Sequence, residues 1–327
     1  MILTLVETDA DGATLTSREA LTFARELATQ ASDPAFEAII IGPLTDDVRD
    51  AVVRELGAQG VTRIQHADGN GLEAYGAAAW AAAIVQAAPS NGVVLASGTP
   101  RGNEIMAHVS VRLDAVMAAN VVGVDGTDPL MVSRQVLGGS ALEQMRLAGD
   151  VAVVSVAGHA TEPAPAAESS QPDLVSLTVS IDERDLVGRV LRTEETEGDD
   201  TSALTSARVV VGAGRGAGSA EGFADLLELV DLTDGALGVS RVVTSLGWRP
   251  HHEQVGQTGS RIAPDVYIAC GISGAIQHLA GCQSAKTIVA INSDEDAPMV
   301  TRADYAIVGD LHEIVPAVNE EIRRRSA

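Results

Sequence analysis

Two glycine-flanked polar runs hold the side chains best suited to grip a ligand. The first is Val255-Gly256-Gln257-Thr258-Gly259. The second runs from Gly271 through Ile272, Ser273, Gly274, Ala275, Ile276, Gln277 and His278 to Leu279. Gln257 and Thr258 each donate and accept hydrogen bonds. The first run lies ahead of a buried apolar strand expected at 266–269, and the second follows it. Ser273 and Gly274 are expected to begin a helix, with His278 about one turn in. Ligands of open parallel sheets bind outside the carboxyl ends of the strands. Two such loops with polar tips therefore suggest one flat polar ligand held between them. A solitary histidine is more often structural, and this setting is what singles out His278.

A third segment adds a place for phosphate. An apolar strand at 207–211 runs into Gly212-Ala213-Gly214-Arg215-Gly216, and a helix follows at 222–230. Glycines let the backbone approach a ligand closely, and a helix start offers free N–H groups. Arg215 supplies a cation suited to a pyrophosphate. The spacing fits a dinucleotide fingerprint only loosely, and a plain tight turn remains the alternative on this segment alone. Other reactive side chains carry less. His251 and His252 are adjacent but have no third metal ligand at a sensible spacing. Cys270 and Cys282 have apolar flanks and read as buried, reduced thiols. Lys286 reads as a surface lysine in a turn. No acid, base or nucleophile stands out as facing a substrate cleft.

The elements that must position these residues fall into two sets. In the first half, apolar strands are expected at 2–7, 38–41, 93–96 and 120–124. Helices are expected at 17–27, 46–56, 74–87 and 105–117, with Ser17 capping the first and Gly57 ending the second. Buried strands separated by helices imply a parallel sheet covered on both faces. Strands at 131–137, 151–156 and 175–181 extend it, with an exposed Ala-, Pro-, Glu- and Ser-rich loop at 158–172. The acidic run 194–200 lacks apolar residues and reads as a solvated linker. The expected organisation is α/β throughout. A first domain spans 1–193, a linker 194–206, and a second domain 207–327, each built on a Rossmann-like parallel sheet. The second has strands at 207–211, 237–239, 266–269, 287–291 and 305–308. Helices occupy 222–230 and 273–280, and the last covers 311–325, where Arg323, Arg324 and Arg325 suit its negative end. There is no internal repeat.

Composition limits the partners. The chain has 327 residues, 46% of them hydrophobic but only 2% aromatic, so its cores must be aliphatic. Its 22 basic and 45 acidic residues give a net charge of −23. Nucleic acid and anionic membrane surfaces are excluded as partners, because both require a basic face. No apolar run reaches the roughly 20 residues that span a bilayer. The N-terminus has no signal-peptide design, so the protein is expected to be soluble and cytoplasmic. Lys286 is the only lysine. A strongly acidic, nearly lysine-free surface suggests a cytoplasm at high salt, where screening suppresses self-repulsion.

The motifs also carry a family resemblance. Gly238-Val239-Ser240-Arg241 is followed by Gln254-Val255-Gly256-Gln257-Thr258-Gly259 and the run from Gly271 to Gly281. After these come Ile288-Val289-Ala290-Ile291-Asn292 and Ala303-Asp304-Tyr305. This succession resembles the flavin domain of electron-transfer flavoprotein α subunits over residues 209–327. Residues 1 to about 190 fit the family's N-terminal α/β domain in layout. The resemblance implies an FAD-binding C-terminal domain and a heterodimer with a β subunit. It implies an electron carrier, not an enzyme with its own substrate. Electrons would come from flavin dehydrogenases of the acyl-CoA dehydrogenase type, as in fatty acid β-oxidation. They would pass to an acceptor such as a quinone oxidoreductase.

By the family's pattern, Arg215 and Ser240 contact FAD, Gln257 and Thr258 line it, and Thr258 lies near flavin N5. Ser273 and Gln277 bind it, His278 reaches the C2 carbonyl, and Arg241 lies against the isoalloxazine. Asn292 and Asp310 sit at the adenosine end. Val255, Gly256, Gly274, Ala275, Ile276 and Leu311 complete the expected contacts. A histidine donor and a guanidinium would stabilise the charge that reduction adds near N1 and the C2 carbonyl. The sequence departs from the family at Ser260 and Ser293, where lysine is common. It departs again at Thr244-Ser245-Leu246 and at Cys282. Three alternatives stay open: a flavin or nicotinamide oxidoreductase with its own substrate, a redox-inactive nucleotide-binding module, and an electron-bifurcating relative.

Overall fold

In the first half of the chain, the side-chain alternation of each strand feeds two separate cores. Ile2, Val6, Ala38, Ile40, Val93 and Leu95 enter one, while Leu3, Leu5, Ile39, Ile41, Val94 and Ala96 enter the other. A period of two with both faces apolar is the mark of a sheet buried on both sides. The computed structural model describes residues 1–31, 36–69, 71–137, 141–158, 160–193 and 201–326. It divides into two compact units, Met1–Thr193 and Glu194–Ala327.

The strands of the first unit are β1 (Ile2–Val6), β2 (Phe36–Ile41), β3 (Arg63–Ala67), β4 (Gly92–Ser97), β5 (Met117–Thr127), β6 (Leu130–Val136), β7 (Ala141–Arg146), β8 (Val151–Val156) and β9 (Asp173–Ser176). They form one sheet in the order β7-β6-β5-β8-β4-β1-β2-β3-β9, antiparallel only at β5-β6-β7. Helices α1 (Leu15–Gln30), α2 (Asp46–Ala58), α3 (Ala77–Ala87) and α4 (Pro100–Leu113) connect the parallel strands.

Several local expectations change. Thr14, not Ser17, caps α1, its Oγ1 accepting from the Ser17 N–H at 3.3 Å. Ser17 is buried and ties α1 to the end of β1, donating to the Glu7 carbonyl and accepting from the Glu7 N–H. Gly57 lies inside α2 instead of ending it. A Cβ there would sit 2.7 Å from the Ser170 carbonyl oxygen, so the glycine admits a passing loop. Helix α4 stops at Leu113, because Asp114 takes the left-handed conformation at φ 49°, and Met117 opens a strand. The strand expected at 175–181 is β9, which ends at Ser176.

The second unit has strands β10 (Val209–Ala213), β11 (Ala236–Val239), β12 (Val266–Cys270), β13 (Thr287–Asn292) and β14 (Tyr305–Val308). All pair in parallel, in the order β11-β10-β12-β13-β14. Its helices are α5 (Ser202–Ser206), α6 (Ala224–Leu232), α7 (Arg241–Ser245), α8 (Ile276–Cys282), α9 (Pro298–Arg302) and α10 (Leu311–Ser326). Again two cores form. Val211, Ala213, Val239 and Ile291 meet α6 and α10 on one face, and Val210, Tyr267, Ala269 and Ala290 are buried on the other. Leu204 of α5 joins that second core, so packed structure begins inside the segment expected to be a linker. Residues 194–200 of that segment lie outside the described residues.

Candidate functional site

Because the five strands of the second unit run the same way, their carboxyl ends open on one edge of the sheet. A cleft of about 980 Å³ lies there. Arg215 and Gly216 follow β10; Ser240, Arg241 and Val242 follow β11; Gly271, Ile272, Ser273 and Ala275 follow β12. Asn292, Ser293 and Asp294 stand at the end of β13, and Gly309, Asp310, Leu311 and His312 follow β14. The loop Gln254, Val255, Gly256, Gln257 and Thr258, with Gln277 and His278 of α8, completes the walls. The chain leaves β10 for β11 on one side and reaches β12 on the other. The crevice between the β10 and β12 turns is therefore a topological switch point, where such sheets bind ligands.

Backbone contact fixes that crevice. The Gly214 N–H donates to the Cys270 carbonyl at 2.9 Å, and the Gly216 N–H to the Gly271 carbonyl at 3.1 Å. A Cβ on Gly216 would lie 2.6 Å from Gly271 Cα, so no other residue fits between the turns. The 254–260 loop is held as closely. The Gln257 N–H donates to the Gln277 carbonyl at 2.7 Å, and the Val255 N–H to the Val239 carbonyl at 2.9 Å.

A polar chain crosses this loop. Arg241 Nη1 donates to Thr258 Oγ1 at 2.8 Å, and Gln254 Nε2 donates to the same oxygen at 3.0 Å. Thr244 Oγ1 donates to Gln254 Oε1 at 2.9 Å. With two donors already upon it, the Thr258 hydroxyl has its own proton left to give. Asn292 serves the scaffold: its Nδ2 donates to the Ile272 carbonyl at 2.9 Å and its Oδ1 accepts from the Asp294 N–H at 3.1 Å. Charge is uneven along the edge. Arg241 and Arg215 stand beyond β11 and β10, whereas Asp294 and Asp310 stand beyond β13 and β14.

His278 sits between these halves and is 6% exposed. One ring nitrogen, Nε2, lies 2.8 Å from the Tyr267 hydroxyl, and the two rings are 6.1 Å apart. Burial pushes its pKa down to about 4, against the smaller opposing effect of a weak hydrogen bond to the Val255 backbone. The imidazole is therefore neutral at neutral pH and carries one N–H. Burial also raises the Tyr267 hydroxyl well above its usual value and pushes the Cys270 and Cys282 thiols to about 12. Both cysteines are free and buried, as their flanks indicate. Among the described residues, two buried polar atoms of the cleft make no hydrogen bond of normal geometry within the chain: Ser240 Oγ and His278 Nδ1. Each such group costs about 1–3 kcal/mol unless a ligand satisfies it. A glycine-tight crevice with these atoms waiting suits a flat cofactor bearing ring oxygens and a pyrophosphate.

Fourteen of the sixteen expected site residues line this cleft; Gly274 and Ile276 do not. Gly274 has φ +80°, and a Cβ would lie 2.4 Å from Met299 N, so its work is to let the β12 loop turn beneath α9. That turn also explains why α8 starts at Ile276 and not at Ser273. Ile276 is 70% exposed. Asp294 and His312 line the cleft without having been singled out. Gln254, which opens the Gln254–Gly259 motif but was given no role of its own, lines it as well. Lys286 pairs with Asp265 at 3.1 Å, on the surface. Among the described residues, no group of three or more His, Cys, Asp or Glu could hold a metal, and no helix is long and apolar enough to cross a membrane.

Comparison with known proteins agrees with this geometry. Residues 2–182 match the electron transfer flavoprotein domain, and residues 203–283 match the electron transfer flavoprotein FAD-binding domain. The electron transfer flavoprotein subunit alpha of Mycobacterium leprae (strain TN) is 34% identical over 325 residues, covering 99% of this chain and 98% of its own. The protein of that name from Bacillus subtilis (strain 168) is 32% identical over 291 residues, 87% of this chain and 88% of its own. That from Bradyrhizobium diazoefficiens is 37% identical over 245 residues, 74% of this chain and 75% of its own. The chain belongs to the electron transfer flavoprotein α-subunit family, and it carries that family's FAD-binding domain.

Proposed function

We propose that this chain is the FAD-carrying half of a heterodimeric electron carrier, and that the cleft at the strand ends of its second unit is where FAD lies. The single observation that carries the placement is the pair of unpartnered buried atoms, Ser240 Oγ at the end of β11 and His278 Nδ1 on α8, in the wall of one cleft. The bound flavin supplies the redox chemistry, and the protein orients it and sets how strongly it attracts electrons. Arg241 and Thr258 form one unit, with the guanidinium holding the hydroxyl so that its remaining proton can be donated at the ring. Arg215, between glycines at the switch point, suits the pyrophosphate. Asp310 and Asp294, beyond the last two strands, suit the hydroxyl donors of the adenosine end. A histidine held neutral binds the flavin through one directed N–H and adds no full charge.

We infer further that the first unit serves as a platform for the β subunit. Flavin dehydrogenases, including the acyl-CoA type of fatty acid β-oxidation, would feed the carrier. A quinone oxidoreductase or similar acceptor would drain it in the cytoplasm. The chain would have no small-molecule substrate of its own. Its net charge of −23 and single lysine support a working medium of high salt. The test is to purify the chain with its β subunit and count flavin per heterodimer in wild type, Ser240→Ala and His278→Leu. Flavin bound normally by both variants would show that the cleft has been assigned wrongly.

A further inference from the structure

Among the described residues, Tyr267 is the largest of the fully buried side chains, and its hydroxyl has one hydrogen-bond partner, His278 Nε2, at 2.8 Å. We propose that Tyr267 is a positioning residue for FAD. Its hydroxyl donates to His278 Nε2 and so holds the imidazole as the tautomer whose Nδ1–H meets an acceptor on the bound flavin. This rests on the reading that His278 contacts the flavin.

The direction of the bond follows from counting donors. A neutral imidazole has one N–H and one bare nitrogen. Suppose Nε2 carried the proton and Tyr267 accepted it. The tyrosine's own proton would then be buried at 0% exposure with no acceptor, out of reach of any ligand, and Nδ1 would be a bare acceptor. Suppose instead that Tyr267 donates. The unpartnered donor is then Nδ1–H, on a residue of the cleft wall, where a ligand can satisfy it. Only the second arrangement loses its unpaired donor when FAD binds. A buried unpaired donor is costly, so the second arrangement is favoured.

The sheet makes room for this device. Tyr267 on β12 pairs with Val210 on β10, and its side chain runs along the sheet over Gly212, where a Cβ would fall 2.2 Å from the tyrosine oxygen. The glycine within the strand therefore serves the tyrosine's reach toward His278. Tyr267, which meets the His278 ring, and Cys282, whose thiol lies against the His278 carbonyl, stay protonated at neutral pH.

The experiment uses the full chain with its β subunit, labelled with 15N-histidine and freed of flavin. The chain has 7 histidines, and His278→Leu identifies the signals of His278 by their loss. At neutral pH the wild type should show a protonated Nδ1 and a bare Nε2. Tyr267→Phe should shift the population severalfold toward Nε2–H. It should also weaken FAD binding about tenfold, equivalent to about 1.4 kcal/mol. In a His278→Leu background, Tyr267→Phe should have no further effect on FAD affinity, and His278→Gln, which keeps a donor, should recover part of it. An Nε2–H imidazole in the wild type, an unchanged tautomer in Tyr267→Phe, or losses that simply add in the double variant would each overturn the proposal. Unchanged FAD affinity in His278→Leu would instead remove the contact on which it rests, and the flavin-free spectra keep the two failures apart.

Discussion

Removing His278 should change how the apoprotein responds to acid. Its imidazole titrates near pH 4 in the folded chain and near 6.5 when unfolded, because burial disfavours the charged ring. A depressed pKa means that, below 6.5, the unfolded chain binds a proton that the folded chain refuses. Stability from this group is therefore complete above pH 6.5 and falls as pH drops toward 4. Each pH unit is worth about 1.4 kcal/mol, so a gap of about 2.5 units amounts to about 3.5 kcal/mol. Its neighbours Tyr267 and Cys282 are held protonated throughout that window, so they add nothing to the slope. The assay is urea unfolding of flavin-free chain between pH 7.5 and 4.5. Of the chain's 2 tryptophans, Trp80 lies in the first unit and Trp248 in the second. A Trp80→Phe background thus makes fluorescence report the second unit alone. The stability difference between this parent and its His278→Leu derivative should be constant above pH 7 and shrink by about 1.4 kcal/mol per unit below about 6. Curves that stay parallel to pH 4.5 would refute the burial argument.

Four further outcomes are expected. Arg241→Ala should lower the flavin's first reduction potential by tens of millivolts, on the order of 1–2 kcal/mol, with Arg241→Lys recovering part; spectroelectrochemical titration checks this. Gly212→Ala should cost about 1–3 kcal/mol by overpacking against Tyr267, and Tyr267→Phe in that background should restore part of the loss in a urea titration. Thermal stability and FAD retention should both rise from dilute buffer toward molar KCl, and a flat or falling melting temperature would count against a high-salt habitat. Residues 1–193, expressed with the β subunit, should bind no flavin; a yellow N-terminal piece would contradict the role given to the first unit.

The sequence made the apolar, two-faced strands legible because alternation and burial coincide in them. It hid β3, where Arg63, Gln65 and His66 break the apolar run, and β7, whose side chains are exposed or half-buried. Short helices α7 and α9 span five residues each, too few for a helical period to register. Glycine was misread where long-range contact decides its use. Gly57 accommodates Ser170 and Gly274 accommodates Met299, and neither neighbour is near in sequence. The cleft was largely readable because its walls are strand-end loops and the glycine-flanked motifs mark two of them. Asp294 and His312 escaped because their place depends on β13 and β14 standing side by side, which no local pattern encodes.

The cleft draws on every strand of the second unit, from Arg215 to His312, so no fragment of that unit can assemble it. A ligand that recognises only the finished fold shifts the folding equilibrium by mass action. Free FAD at a hundred times its dissociation constant would add about 2.7 kcal/mol to the stability of the unit. Flavin supply would then govern how much of the polypeptide survives, as well as how much of it is coloured. In a cell starved of riboflavin, proteolysis of the unliganded chain would remove the carrier itself.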